Sequence, residues 1–314
     1  MRVFSGRSNP ELAVKICEYL DMNLGRIDIK DFKDGEINAE IKENIRGQDV
    51  FLIQSTSAPA NDNLMELMFT IDAIRRASPD RITVVIPYLG YSRADRLFGR
   101  SSIGSKVIAK MLTNSGADKI ITIDLHSNQT QAFFDIAVDN IYASPVLLRK
   151  VRELGLSNPI VVSPDVGGAV RARAYAKKLD DIDVAIVDKR RPKAGESEVM
   201  NIIGKVRGKD CIIVDDMMDS GGTACNAAKA LMEQGANSVY MLVTHGVLSD
   251  GAHKRISKSK ITKLIVTDTI KQESNKLEKC DKIEVVTVSD LIGETIRRIH
   301  TNESLQKMFE TMFK

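Results

Sequence analysis

Ile212-Ile213-Val214-Asp215-Asp216-Met217-Met218-Asp219-Ser220-Gly221-Gly222-Thr223 runs directly into a helical pattern, Thr223 to Gln234. The apolar opening reads as a strand that delivers two carboxylates at its tip. A third Asp, a Ser, two Gly and a Thr then lead into the helix. Glycine lets successive backbone amides converge in a nest, and the helix N-terminus adds partial positive charge, so the loop suits a phosphate monoester. The Ser220 and Thr223 hydroxyls add donors, and Asp215 and Asp216 can accept hydrogen bonds from vicinal sugar hydroxyls. A plain turn with a capping Asp would need neither the paired carboxylates nor both glycines.

Outward from this unit, short β-branched apolar runs alternate with amphipathic stretches. Strand candidates are Val50 to Ile53, Ile82 to Ile86, Ile120 to Ile123, Ile160 to Val162, Val184 to Val187, Cys211 to Val214, Val239 to Val243 and Leu264 to Val266. Helical patterns cover Glu11 to Leu20, Leu64 to Ala77, Ala169 to Leu179 and Thr223 to Gln234, with Asn61 and Asn63 offered as N-caps of the second. The alternation predicts an α/β fold of βαβ units with parallel sheets. An internal repeat sharpens it. Ala109 to Ala117 reads like Ala228 to Ala236, and each is followed by an apolar strand and a His, His126 and His245, at one offset (126 − 109 = 245 − 228). Two related domains follow, one of residues 1–144 and one of 145–291, with the C-terminal helix of about 292–314 returning to the first. Ligands in open parallel sheets sit at the carboxyl ends of the strands.

Composition fits this picture. The 314 residues suggest two domains at roughly 150 residues each. With 43% hydrophobic and 28% charged residues, the chain is neither disordered nor collagen-like. Lys plus Arg exceeds Asp plus Glu by only 45 − 42 = 3, which argues against a nucleic-acid surface. Cys17, Cys211, Cys225 and Cys280 are scattered without a zinc spacing and read as free thiols of a reducing compartment. The start lacks a signal-peptide core and no apolar run reaches membrane-spanning length, so a cytoplasmic chain without membrane partners is expected.

Several strand-end segments carry candidate chemistry. His126 follows the strand Ile120 to Ile123 and Asp124, and Asp165 ends another strand before Gly167-Gly168. Lys189-Arg190-Arg191 closes a third; such triplets are usually solvated, but a strand end in this fold faces the ligand cleft. Ile86 to Leu97, containing Arg93, Ala94, Asp95 and Arg96, stands by the repeat where the phosphate loop stands in the other half. Phe32 and Asp34-Gly35-Glu36 form a turn before the alternating strand Ile37 to Ile41, and alone they read as solvated. Gly99 to Lys106 approximates a nucleotide P-loop, but its order is wrong and no strand directly precedes it.

The Asp215 to Thr223 stretch resembles the phosphoribosyl pyrophosphate loop shared by type I phosphoribosyltransferases and ribose-phosphate pyrophosphokinases. Resemblance to the pyrophosphokinases continues through Ser5 to Pro10, Gln54 to Pro59, Asp124-Leu125-His126, Ser163-Pro164-Asp165 and Arg297 to His300, nearly the whole length. It implies a class I member with two tandem phosphoribosyltransferase-like domains. Such a member makes phosphoribosyl pyrophosphate and AMP from ribose 5-phosphate and ATP. By the same resemblance, Phe32, Asp34, Gly35 and Glu36 lie against the ATP adenine, reached from a neighbouring subunit, which implies a homo-oligomer, a hexamer in this family. Arg93 and Ala94 fall on the ATP loop. His126 and Asp165 hold Mg²⁺ on the ATP phosphates. Lys189 is the catalytic cation, with Arg191 beside it as a ribose 5-phosphate contact. Asp215, Asp216, Asp219, Ser220, Gly221, Gly222 and Thr223 bind ribose 5-phosphate. The ATP loop departs from the family pattern: Ala94 stands for Gln, Leu97 for a basic residue, and Ser102-Ile103-Gly104-Ser105-Lys106 for a Pro-containing stretch. These departures leave open a silent regulatory paralogue, and the loop motif alone leaves open a phosphoribosyltransferase.

Overall fold

Successive side chains of a strand point to opposite faces, so the uninterrupted apolar runs make strands with two buried faces, which requires helices on both sides of each sheet. The computed structural model describes residues 1–190, 199–249 and 251–312. The first half comprises β1 (Arg2–Ser5), α1 (Pro10–Tyr19), β2 (Ile27–Asp31), β3 (Ile37–Ile41), β4 (Asp49–Ile53), α2 (Ala60–Arg76), β5 (Arg81–Ile86), α3 (Gly104–Ser115), β6 (Lys119–Ile123) and β7 (Ala137–Ile141). Its parallel sheet has the order β1-β4-β5-β6-β7, and β2 and β3 pair apart from it as an antiparallel hairpin.

The second half comprises α4 (Ser144–Glu153), β8 (Pro159–Ser163), α5 (Ala169–Lys178), β9 (Val184–Arg190), β10 (Val199–Ile203), β11 (Asp210–Met218), α6 (Gly222–Glu233), β12 (Ser238–Gly246), α7 (Ala252–Lys258), β13 (Lys263–Thr267), α8 (Ser274–Leu277) and β14 (Ile283–Val286). α9 (Ser289–His300) and α10 (Leu305–Met312) follow. The sheet order is β10-β9-β8-β11-β12-β13-β14, parallel throughout except at β10–β9. Two mostly parallel sheets flanked by helices are thus the observed architecture.

Side-chain alternation divides the core into three layers. Val50, Leu52 and Val84 meet Leu67, Ile71 and Ile74 of α2 on one face of the first sheet. Ile160, Val162 and Ile213 meet Ala227, Ala228 and Leu231 of α6 on the outer face of the second. The remaining faces share a single apolar cluster: Phe51, Ile53 and Val85 of one sheet join Val161, Ile212 and Leu242 of the other through α1, α4, α5 and α9. The strand ends of the halves are therefore tied by a common core. The repeat is visible in the backbone as well. Gly116 after α3 and Gly235 after α6 both take left-handed conformations, φ 111° and 88°, which end each helix and turn the chain into the next strand.

All eight strand candidates form strands. The helix N-caps expected at Asn61 and Asn63 do not form: α2 starts earlier, capped by Pro59 without a side-chain bond, and Asn63 sits inside the helix. Its amide instead donates to the Ser57 carbonyl at 2.9 Å, drawn inward by a buried acceptor. α9 packs on α1, where Tyr19 donates to Glu294 at 3.1 Å, and His300 and Arg81 both bond Asp49. A Cβ on Gly293 would lie 2.5 Å from Tyr19 Cδ1 and 3.2 Å from its Cβ, so the two helices meet only because this position has no side chain. Gly293→Ala should destabilise the chain by about 1–3 kcal/mol through overpacking, read as a lowered midpoint in thermal unfolding.

Candidate active site

The carboxyl end of β11 builds one side of the site. Asp215 and Asp216 lie within the strand, which continues to Met218 because β12 runs alongside as far as Gly246. The loop that follows places Gly221 at φ 75°, a conformation costly for any side-chain-bearing residue, and α6 starts at Gly222. Arg255 donates to the Ser220 carbonyl and holds the loop from α7. Ser249 and Arg93 hold the Asp219 carboxyl below its ordinary range, the Arg93 contact being 2.6 Å. Arg93 comes from the first half, so this ion pair joins the two expected loops.

A second bridge lies deeper. His126 Nδ1 meets Asp216 Oδ2 at 2.8 Å, and Arg171 Nη1 donates to Asp216 Oδ1 at 2.8 Å and to Asp215 Oδ1 at 2.9 Å. The hydrogen bond to Asp216 raises the His126 pKa against the opposing effect of burial. Burial also works against ionising Asp216, but His126 and Arg171 outweigh it and hold that carboxyl low. Asp215 is pushed up, first by burial and then by the charge of Asp216 next to it. Asp216 thus meets both His126 and Arg171, whereas of the two Asp215 meets only Arg171. Arg171 went unnoticed in the sequence; an Arg three residues into a helix after Gly167-Gly168 carries no signal until the fold buries it.

One cavity of about 700 Å³ is lined by His126, Asp165, Gly168, Arg171, Asp215 and Asp216, with Arg96 at its wall. Asp165 is exposed, and its Oδ1 accepts from the Gly168 amide at 2.9 Å, shaping the turn into α5. A second cavity, about 730 Å³, is lined by Arg93 and Ala94 together with Tyr88, Ser249 and Gln272. Lys189 is the next-to-last residue of β9, three residues beyond the Ser163–Ile186 pair. Arg191 lies outside the described residues.

Phe32, Asp34, Gly35 and Glu36 line neither cavity. They form the exposed turn between β2 and β3, where the Phe32 amide donates to the Glu36 carbonyl and Asp34 Oδ1 accepts from the Glu36 amide. The hairpin is anchored by Arg7, which the sequence marks only as part of the Ser5 to Pro10 resemblance, with no role assigned. Its Nε donates to the buried Glu66 and its guanidinium forks onto Asp31, both at 2.6 Å in the shorter contacts. Among the described residues, no helix is long and apolar enough to cross a membrane.

Residues 1–116 match the family model for the N-terminal domain of ribose phosphate pyrophosphokinase, and residues 187–310 match the phosphoribosyl synthetase-associated domain. The ribose-phosphate pyrophosphokinase of Hyphomonas neptunium is 55% identical over 312 residues, 99% of this chain and 100% of that one. That of Vibrio cholerae is 53% identical over 311 residues, 98% of this chain and 99% of the relative. The crystal structure of phosphoribosylpyrophosphate synthetase from Mycobacterium smegmatis superposes with a TM-score of 0.90 at 37% identity, covering 96% of this chain and 99% of that one. With both halves matched and the whole length covered, the chain belongs to the ribose-phosphate pyrophosphokinase family.

Proposed function

We propose that the chain transfers the pyrophosphoryl group of ATP to the anomeric hydroxyl of ribose 5-phosphate, giving 5-phosphoribosyl 1-diphosphate and AMP. The observation that supports this best is the pair of bridges Arg93–Asp219 and His126–Asp216, which bring residues of the expected ATP side onto the carboxylates and phosphate loop of the sugar side. The 5-phosphate sits on the loop of Asp219, Ser220, Gly221, Gly222 and Thr223, at the N-terminus of α6. Asp215 and Asp216 accept from the ribose hydroxyls. The anomeric oxygen attacks the β-phosphorus in line, and the bridging oxygen leaves with AMP. Lys189 and Arg191 stand by the charge that spreads over the migrating group, and Arg191 also contacts ribose 5-phosphate. Phe32, Asp34, Gly35 and Glu36 take the adenine across a subunit boundary, with Arg93 and Ala94 closing on the nucleotide.

His126 and Asp165 fit a Mg²⁺ that arrives on the nucleotide phosphates. Both line one cavity, and Asp216 fixes His126 through Nδ1, which leaves Nε2 as the free ring atom. Among the described residues no group of three or more His, Cys, Asp or Glu is placed to hold a metal, and a Mg²⁺ that keeps its waters needs no such cage. When bound, the ion neutralises phosphate charge; the chain's own work is positioning, charge stabilisation and exclusion of water. A homo-oligomer, hexameric as in the family, a cytoplasmic location, and domains of residues 1–144 with 292–314 and of 145–291 complete the reading.

The departures at Ala94, Leu97 and Ser102 to Lys106 favour, as a second reading, a silent regulatory subunit. Purified protein given ribose 5-phosphate and MgATP should release AMP in a sugar-dependent manner. No AMP at saturating substrates would support the silent subunit, and nucleotide formed from phosphoribosyl diphosphate and a nucleobase would indicate a phosphoribosyltransferase. On the enzymatic reading the altered loop weakens ATP binding without abolishing it. The Ala94 carbonyl already accepts from the Ser105 amide and hydroxyl, at 3.1 and 3.0 Å, so its backbone is held while its methyl faces Gly104. Ala94→Gln should lower the Michaelis constant for ATP by up to about tenfold, the worth of one hydrogen bond, with a smaller effect on that for ribose 5-phosphate.

A further inference from the structure

The sequence repeat pairs His126 with His245, and only the first has a place in the chemistry above. His245 is 2% exposed, within β12 at a register shift that follows Val243. Such an irregularity re-aims a strand side chain. Its Nε2 lies 3.0 Å from the Ile123 carbonyl and 3.3 Å from that of Asp124, so this nitrogen carries the proton and donates across the boundary between the two sheets. Nδ1 meets the Thr269 hydroxyl at 3.0 Å, and Tyr88 packs edge-on against the ring at 5.0 Å.

The carbonyls it holds belong to the turn that delivers His126. Asp124 sits there at φ 42°, in the left-handed region that Asp tolerates better than most residues other than glycine. Its side chain is held by Thr244 and the Ala143 amide, which donate to Asp124 Oδ2 at 2.6 and 3.0 Å, and its backbone by His245 and by the Ile141 carbonyl, which accepts from the Asp124 amide at 2.9 Å. Two of these four groups come from β12 of the other half.

We infer that His245 is a positioning residue: from the second half of the molecule it clamps the Asp124 turn and so sets the place of His126 beside Asp216. The duplicated histidine has divided its labour, one copy standing in the cleft and the other bracing it. This inference rests on the reading of His126 as the group facing MgATP.

The test uses the full chain with three substitutions that differ in which ring atom they replace. In His245→Gln the side-chain amide nitrogen stands where Nε2 stood and can still reach the carbonyls. In His245→Asn it stands where Nδ1 stood, and His245→Phe fills the space without a donor. Calorimetric affinity for the Mg²⁺ complex of a non-hydrolysable ATP analogue is measured alongside hydrogen exchange of the amides of residues 124–127. The Asn and Phe variants should lose affinity by about fivefold and exchange faster in that segment, the Gln variant staying within about twofold on both, as expected for one hydrogen-bond donor. Ribose 5-phosphate affinity should hold in all three.

Equal losses in all three, or none in Asn and Phe, would overturn the inference, since packing alone does not distinguish the two nitrogens. If the Asn and Phe variants do not fold, Thr244→Val removes another strut of the same turn and should show the same selective loss; normal affinity and normal exchange there also refute it. His126→Ala separates the two claims. If it binds the complex normally, the reading of His126 fails, and the exchange data alone still judge the clamp; if only the His245 variants bind normally, the clamp fails alone.

Discussion

Lys189→Ala should lower turnover by about a hundredfold or more, the scale of losing one group that stabilises transition-state charge. Lys189 stands near the carboxyl end of β9, the parallel neighbour of β8, whose own end carries Asp165. On the proposed mechanism, cations at that edge would meet a group that gains negative charge only as it migrates, so the loss should fall on the rate constant. Michaelis constants for both substrates should stay within a few-fold. Steady-state kinetics with each substrate varied in turn measures this. Turnover within a few-fold of the parent would assign Lys189 to a solvated basic triplet with no part in transfer.

Asp216→Ala should cost about 3 kcal/mol of stability and most of the activity together. Asp216 is 4% exposed, and its two carboxylate oxygens take separate donors, Arg171 and His126, from different halves of the molecule. Removing one partner of a buried charge pair costs about 3–5 kcal/mol, and the value here falls at the low end because His126 loses its carboxylate while Arg171 keeps Asp215. Asp216→Asn keeps the shape and one acceptor but turns an amide toward the remaining donor, so its loss should be smaller, about 1–2 kcal/mol. Denaturant unfolding gives both values. An Ala variant as stable as the parent would mean that the bridge between the halves is a surface ion pair in energetic terms.

The strands and helices that carry the site were legible because their signals are local. An apolar run followed by two carboxylates, a Ser and two Gly needs only its own chemistry to read as strand, anion loop and helix. What escaped depends on neighbours. β7 (Ala137–Ile141) contains Asp139 and Asn140 and forms because β6 offers an unpaired edge. Asp215 and Asp216 were expected at a strand tip, yet β12 pairs with β11 past them and keeps them in the sheet. Arg171 is an ordinary surface residue by sequence and Arg7 carries no role within the Ser5 to Pro10 resemblance; only folding sets Arg171 between two aspartates and Arg7 between Glu66 and Asp31. The turn at Phe32 to Glu36 lines neither of the two cavities that hold the other candidate residues.

The most direct test of the transfer reaction is the fate of a label on the β-phosphorus of ATP. In a mixture with ribose 5-phosphate and Mg²⁺, the label should move into 5-phosphoribosyl 1-diphosphate while unlabelled AMP accumulates in equal amount. Label that remains with the nucleotide as ADP, or that never leaves ATP in the presence of the sugar phosphate, would contradict pyrophosphoryl transfer by this chain.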